Sequence, residues 1–363
     1  MQICSLAMSR TQKLDDLIVS RFQQTGWDTL YLYFRKRKRR QMKLFQDRYL
    51  GASLSDAERR WHTSRMRWAY IRYGWWFDEY FMFNFNKLSH RGKMEFVPNT
   101  QKDYFCDKVN SPEVHDLFTD KWLAYQKFSK YYSREVCHFG ANGVLDSSAE
   151  DFIIRHRSFI VKPLDDSFGG GCRVVSGASV SEVETMLKEY SSGGVLEELI
   201  VQNEAMASLH PQSVNTVRIS TLKIDGQVHV IHPFFRVGRG EDVVDNAAKG
   251  GIFGVIDIDS GIVTTACDEL GNRYVLHPDT QKPVVGFAIP RWGDALALAR
   301  ELAEVVPESV FTGWDLAYTD EGWVMVEGNS RGQFVCFQMA TQQGFRNELE
   351  GLLGRSLIEF CHR

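Results

Sequence analysis

Gly313-Trp314-Asp315-Leu316-Ala317-Tyr318-Thr319, the turn Asp320-Glu321-Gly322, and Trp323-Val324-Met325-Val326-Glu327-Gly328-Asn329-Ser330 form the stretch that organises the chain. Two aromatic and apolar runs flank a turn-forming Asp-Glu-Gly, which predicts a hairpin pairing Trp314–Tyr318 with Trp323–Glu327. Glu327 and Asn329 are two residues apart and leave the same face of one strand, and Asp315 lies on the antiparallel partner within reach of that face. Two carboxylates and an amide oxygen are hard oxygen donors of the kind Mg²⁺ takes alongside phosphate oxygens. The other reading is a solvated hairpin face. Against it stand the apolar flanks Val324, Met325, Val326 and Phe334, beside which an unpaired carboxylate is costly.

Upstream, two more hairpins are expected: Val214–Ile224 with Val228–Val237, turning at Asp225-Gly226, and Gly251–Ile258 with Gly261–Thr265 around Asp259-Ser260. Phe152–Val161 reads as a strand ended by Lys162-Pro163, and Cys172–Val175 and Val195–Val201 as two more. Helices are expected over Asp116–Tyr132, over Ser181–Tyr190 with Ser181 and Glu184 as a capping box, over Asp294–Val306 and over Phe345–Phe360. Strands arranged as hairpins with helices inserted argue for an α+β fold rather than a doubly wound parallel sheet.

Between Lys162 and Cys172 runs Ser167-Phe168-Gly169-Gly170-Gly171. Glycines let backbone N–H groups approach phosphate oxygens, with the Lys162 ammonium and the Ser167 hydroxyl nearby; the alternative is an ordinary glycine turn. No Walker A pattern exists, since Gly92-Lys93 is followed by Met94. Glu197-Glu198-Leu199-Ile200, with Glu204 after it, places carboxylates in an apolar strand. It reads either as a solvent edge or as an edge that meets a nucleotide base and its ribose.

The 363 residues are 44% hydrophobic and 25% charged, which excludes disordered and collagen-like classes. No run of about 18 apolar residues occurs, and the start lacks the apolar core of a secretory signal. Seven scattered cysteines without a C-x-x-C pair argue against a disulfide framework or a zinc site, so a cytoplasmic protein is expected. Charge is divided unevenly: residues 1–110 hold 21 Lys and Arg against 11 Asp and Glu, the remainder 22 against 35. The front part is expected to be helical and aromatic-rich, with Leu14, Leu17, Ile18 and Phe22, then Trp27, Leu30 and Phe34, at helical spacing. Trp61, Trp68 and Ile71, followed by Tyr73, Trp75, Trp76 and Phe77, continue that pattern. Its basic run Arg35–Arg40 suits peripheral contact with an anionic membrane face or a large anionic acceptor; a solvated helix end is the plainer reading. No nucleic-acid-binding module is recognisable, and none is expected as a partner.

Taken in order, the strand lysine, the glycine loop, Glu197-Glu198-x-Ile200 with Glu204, and Asp315…Glu327-x-Asn329 resemble the ATP-grasp superfamily over roughly residues 111–352. The final hairpin is similar to glutamate-ligase-like and glutathione-synthetase-like members. Asp120-Lys121, Val214-Asn215-Thr216-Val217-Arg218-Ile219, and Asp245-Asn246 with Gly250-Gly251 resemble the sugar-transfer-associated ATP-grasp family. The resemblance implies two α+β lobes clasping ATP, residues 111–201 and 202–363, behind a helical region 1–110. It implies that Lys121 and Lys162 contact phosphates and that Ser167 to Gly171, with Gly169 and Gly170, form a lid. Glu197 would meet the adenine amino group, Leu199 and Ile200 would line the base beside Glu198, and Glu204 would hold the ribose. Asp315, Glu327 and Asn329 would coordinate two Mg²⁺ ions, and Arg218 and Arg236 would face the transferred phosphoryl group or an acyl carboxylate. D-alanine–D-alanine ligases carry an oxyanion-stabilising Arg two positions before the metal Asp. Gly313 stands there instead, so the task passes to Arg331, if its strand continues past Asn329, or to Arg218. The implied activity is ATP-dependent joining of a small-molecule carboxylate to an amine through an acyl phosphate, with a sugar-linked acid or a natural product as substrate. A kinase or a catalytically silent nucleotide-binding protein of the same superfamily is the competing reading.

Overall fold

Helices open the described part of the chain. α1 (Lys36–Leu50) packs against α2 (Asp56–Tyr73), which Ser55 starts with a capping box to Glu58 and Gly74 ends at φ 73. This computed structural model describes residues 36–164, 171–240 and 250–361. The expected helical positions Leu14 to Phe34 and the residues Arg35, Ser167, Gly169, Gly170, Asp245 and Asn246 lie outside them. The chain divides into two compact units: residues to Lys108 with Glu269–Asn272 and Gln333 onward, and Val109–Asp268 with Arg273–Gly332.

The first unit is built on aromatic contacts. Trp75 is fully buried among the rings of Phe83, Phe85 and Phe96, and Tyr70 meets Phe77. Lys38 corrects part of the reading of the basic run: it is 3% exposed, with its ammonium 3.9 Å from the centre of the Trp76 ring. That cation is spent inside the unit rather than on a membrane face. Residues from Gln333 onward belong here and not with the hairpins. The buried Gln338 side chain accepts from Val97 N at 2.7 Å and donates to Val97 O at 2.9 Å, and Arg346 Nε donates to Met94 O at 2.6 Å. The expected helix Phe345–Phe360 is two, Arg346–Leu353 and Leu357–Cys361, because Gly354 turns the chain at φ 65.

In the second unit α3 (Pro112–Thr119) and α4 (Lys121–Phe128) replace the single expected helix. The Asp120 carboxylate caps α4 by accepting from Trp122 N and Leu123 N, and its own extended backbone breaks the run. A small antiparallel sheet follows, ordered β1-β4-β2-β3, from β1 (Val136–Phe139), β2 (Ser158–Pro163), β3 (Arg173–Ser176) and β4 (Gly194–Glu198). Phe152 and Ile153 are not strand residues as expected. They lie on α5 (Ser147–Arg155), capped by Asp146, with Ala149, Phe152 and Ile153 turned inward at helical spacing. The cap of α6 (Val180–Leu187) is Ser179 with Glu182, two residues before the expected pair. Both helices cover one core with Phe159, Val161 and Leu196.

A six-stranded antiparallel sheet completes the unit, ordered β10-β9-β5-β6-β7-β8. Its strands are β5 (Thr216–Ile224), β6 (Gln227–Val237), β7 (Ile252–Ile256), β8 (Val263–Cys267), β9 (Phe311–Thr319) and β10 (Gly322–Asn329). The three expected hairpins are all present, and Asp225 at φ 50 with Gly226 at φ 76 makes the tight primed turn between β5 and β6. α7 (Trp292–Val305) buries Ala295, Ala299 and Leu302 in a cluster with Val217, Ile219 and Phe235. The α+β architecture is therefore as expected.

Candidate active site

Lys162 and Glu197 face each other across β2 and β4, where Val195 pairs with Lys162 and Glu197 with Ile160. Lys162 Nζ donates to Glu197 Oε2 at 2.8 Å, and Arg134 donates to the same oxygen from Nη2 at 3.0 Å. Burial alone would push the Glu197 carboxyl up, since the residue is 4% exposed, but the Lys162 and Arg134 charges hold it at about 2. Glu197 thus orients a lysine and an arginine. Glu198, its neighbour, points to the other side and accepts from Glu135 N at 3.2 Å. Lys121, first residue of α4, donates from Nζ to Leu164 O at 3.4 Å, just beyond the end of β2. Leu199 and Ile200 follow β4 half-buried, and Glu204 is exposed at the start of a short helix, Glu204–Ala207.

The second cluster lies on the large sheet. Asp315 on β9 pairs with Glu327 on β10 and with Arg218 on β5. Asp315 is fully buried. Arg218 grips both its oxygens, Nη2 at 2.6 Å from Oδ2, and Arg236 on β6 reaches Oδ2 at 2.8 Å while holding Thr216 Oγ1. Burial raises the Asp315 carboxyl, but these two guanidinium groups bring it down to about 2. Glu327 is raised, by desolvation and then by the Asp315 charge, with which it shares a hydrogen bond. Its side chain is 48% exposed, so the like charge is the cause that survives solvent. Two register breaks abut this cluster, one on β10 between Met325 and Glu327, the other between the β5 residues Arg218 and Ser220. Such bulges re-aim side chains beside sites.

Gly313 leaves room for a neighbouring arginine. A Cβ built there would lie 3.0 Å from Arg218 Cδ and 3.5 Å from Arg218 Nη1. The guanidinium arm of β5 lies over the bare backbone of β9, in the space a side chain at 313 would need. Arg331 does not share the strand face: β10 ends at Asn329, the chain turns with Gly332 at φ 45, and Arg331 N donates to Asn329 Oδ1 at 2.9 Å. Arg331 is therefore off the strand face, and Arg218 is the arginine that lies against position 313.

Arg134 joins the two clusters. Besides Glu197 it donates from Nη1 to Met325 O at 2.7 Å and from Nη2 to Val326 O at 3.3 Å, beside the bulge that carries Glu327. Charge effects agree with that proximity. Burial raises the Tyr132 hydroxyl, and both Glu197 and Glu327 raise it further. Burial likewise raises the Cys172 thiol, with Lys162 and Lys121 opposing and Glu327 and Glu197 adding to it. Cys172 follows Gly171, whose carbonyl accepts from the Tyr190 hydroxyl at 2.6 Å. Lysines, glycine-loop end and carboxylates therefore surround one place. Arg134 was not expected from sequence, nor was buried Asn110, which donates to Phe311 O and Ser330 O and fixes the turn after Asn329.

The donors fit magnesium. Asp315, Glu327 and Asn329 offer oxygen only, and burial followed by the Asp315 charge raises the Glu327 carboxyl, a like-charge contact that a cation would relieve. Glu327 and Asn329 are the open members, because Asp315 is enclosed by guanidinium groups. Among the described residues no group of three His, Cys, Asp or Glu is placed to hold a metal ion. Among the same residues no helix is long and apolar enough to cross a membrane.

Solved structures with similarity to the chain include N5-carboxyaminoimidazole synthetase from Staphylococcus aureus complexed with ADP, at 10% identity and TM-score 0.43, covering 72% of this chain and 59% of that one. D-alanine–D-alanine ligase from Helicobacter pylori matches at 13% and 0.41, covering 68% and 63%. L-amino acid ligase from Bacillus licheniformis matches at 14% and 0.36, covering 60% and 41%. The chain spans less than two thirds of the length of each. No curated protein shows significant sequence similarity to it. A family model, sugar-transfer associated ATP-grasp, matches residues 100–352, more than half of the chain. The chain belongs to the sugar-transfer-associated ATP-grasp family.

Proposed function

We propose that the chain joins a carboxylate to an amine at the expense of ATP, with a sugar-linked acid as the carboxylate and glycoconjugate assembly as the setting. The observation that carries this reading is the Arg134 bridge, which ties Lys162 and Glu197 to the backbone beside Glu327. A phosphate-binding lysine and an oxygen-donor pair on one rigid connection suit phosphoryl transfer, where positioning and charge neutralisation supply most of the rate.

In this reading Lys162 and Lys121 neutralise the ATP phosphates, the residues after Lys162 cover them, and Leu199 and Ile200 line the base. Glu327 and Asn329, with Asp315 behind them, would hold magnesium, which when bound supplies Lewis-acid charge at the phosphates. Arg218 and Arg236, held by Asp315, would meet the carboxylate substrate or the transferred phosphoryl group. The carboxylate oxygen attacks the γ-phosphorus as the bond to ADP breaks. The amine nitrogen then attacks the acyl carbon, losing a proton as phosphate leaves. The sum is ATP, acid and amine giving amide, ADP and phosphate.

Screening acid and amine pairs for coupled ADP release tests this. The reading expects ADP and free phosphate only when both partners are present. Phosphate retained on the acid would make the chain a kinase, and no turnover with any pair, together with no ATP binding, would leave it a silent protein. Glu327→Gln should abolish ADP formation with the fold intact.

A further inference from the structure

In the helical unit, away from the residues assigned above, α2 carries large apolar side chains on two sides. Met66, Ala69, Tyr70 and Tyr73 turn into the unit, as the inner face of a packed helix should. The outer face adds two indoles: Trp61 and Trp68, seven residues apart, are 46% and 54% exposed. Arg65 and Arg72 stand at i+4 and i+11 from Trp61 and are exposed with them. The four side chains therefore form one stripe, Trp61-Arg65-Trp68-Arg72. At 1.5 Å per residue it runs about 16 Å along the helix.

Charge along this face has one sign. From Arg59 to Tyr73 the sequence holds five arginines and no acidic residue. The two acids of α2, Asp56 and Glu58, stand in its first turn, and Glu58 is taken up by the capping box with Ser55. The Arg65 guanidinium lies 4.0 Å from the centre of the Trp61 ring, and that of Arg72 lies 5.7 Å from the centre of the Tyr73 ring. Neither arginine has a hydrogen bond or ion pair among the described residues. Lys93 adds a cation beside the stripe: burial lowers its ammonium, and the Arg65 charge lowers it further.

An indole joins an apolar body to a single N–H donor, and holding two of them in water on a rigid helix forgoes the gain of burying them. The headgroup layer of a bilayer takes both parts, with indole rings at its depth and guanidinium forks on the phosphates. A stripe whose charges are all positive selects an anionic leaflet. We propose that the outer face of α2 is a docking surface for an anionic lipid membrane, with Trp61 and Trp68 as shallow anchors and Arg65 and Arg72 as the groups that meet phosphate. The helix lies on the membrane and does not span it. This surface differs from the basic run Arg35–Arg40, whose Lys38 is turned inward.

The test sediments the full chain with vesicles of mixed phosphatidylglycerol and phosphatidylcholine, and with phosphatidylcholine alone. Binding is expected to the mixed vesicles only, and it should weaken as salt is raised. Arg65→Gln combined with Arg72→Gln should weaken it by at least about tenfold, on the scale of two cations beside a charged leaflet. Trp61→Ser combined with Trp68→Ser keeps every charge and should also weaken it by about tenfold, with thermal melts unchanged. No binding of the wild type to mixed vesicles would overturn the proposal, and so would equal binding to phosphatidylcholine alone. Binding unaltered in the tryptophan variant would overturn it too, leaving only diffuse attraction between a basic region and an anionic surface. Self-association of the wild type in place of vesicle binding, abolished in the tryptophan variant, would make a second copy of the chain the occupant and contradict a lipid one. No readout here uses nucleotide, so the result is independent of the ATP-dependent reading.

Discussion

Glu79 in the helical unit and Glu197 in the sheet unit are both buried, and their carboxyls move in opposite directions. Glu79 accepts two backbone N–H groups, from Trp76 at 2.6 Å and Asn99 at 2.7 Å. Burial, followed by the charge of Asp78, still pushes it up to about 8. Asp78 itself is pushed by burial to about 6. Glu197 faces a comparable loss of water but meets Lys162 and Arg134, and stays near 2. Backbone dipoles satisfy a carboxyl without keeping it charged, whereas a full cation keeps it charged. A scaffold needs only the first arrangement. The sheet unit retains ionised groups, which is what chemistry on phosphates requires.

That contrast can be broken in several ways. The largest effect is expected from Asp315→Ala, which leaves Arg218 and Arg236 buried without their carboxylate. It should destabilise the sheet unit by about 3–5 kcal/mol in urea unfolding. Glu79→Gln keeps one acceptor and loses the other, so about 1–3 kcal/mol is expected. If the two substitutions cost the same, the distinction between paired and unpaired burial fails.

The pH dependence follows with opposite signs. Because the Glu79 and Asp78 values are raised on folding, their stabilisation is complete below about 4 and is lost as pH rises through 6 to 8. Glu197 and Asp315 are depressed, so their stabilisation is present above about 4.5 and is lost as pH falls towards 2. Thermal melts should therefore decline on both sides of pH 4–5, and Glu79→Gln should flatten the upper limb only. A smaller effect is expected at Gly313. Gly313→Ala crowds Arg218, costing about 1 kcal/mol, and should lower turnover more than stability. A variant with full activity would remove Arg218 from its assigned place.

Local chemistry was legible where it decides the structure. Asp225-Gly226 accepts the positive φ values a tight hairpin needs, and alternating runs gave β5, β6, β9 and β10 nearly whole. Phe152 and Ile153 misled because a short apolar run satisfies strand and helix alike, and Asp146 capping decides between them. Lys162, Glu197, Asp315 and Glu327 could be picked out as chemistry-bearing residues. Their connection could not, because Arg134 spans 63 residues to Glu197 and 191 to Met325. The lodging of Arg218 over Gly313 likewise depends on β5 lying beside β9, a pairing no local pattern announces.

The most direct test of the central claim, that the Lys162–Glu197 and Asp315–Glu327 clusters form one magnesium-ATP site, is calorimetric ATP binding with and without magnesium. Wild type, Lys162→Ala and Glu327→Gln should be compared. The account predicts tighter ATP binding with magnesium in wild type, loss of that gain in Glu327→Gln, and more than about tenfold weakening in Lys162→Ala. Equal ATP affinity in all three proteins, with or without the metal, would contradict it.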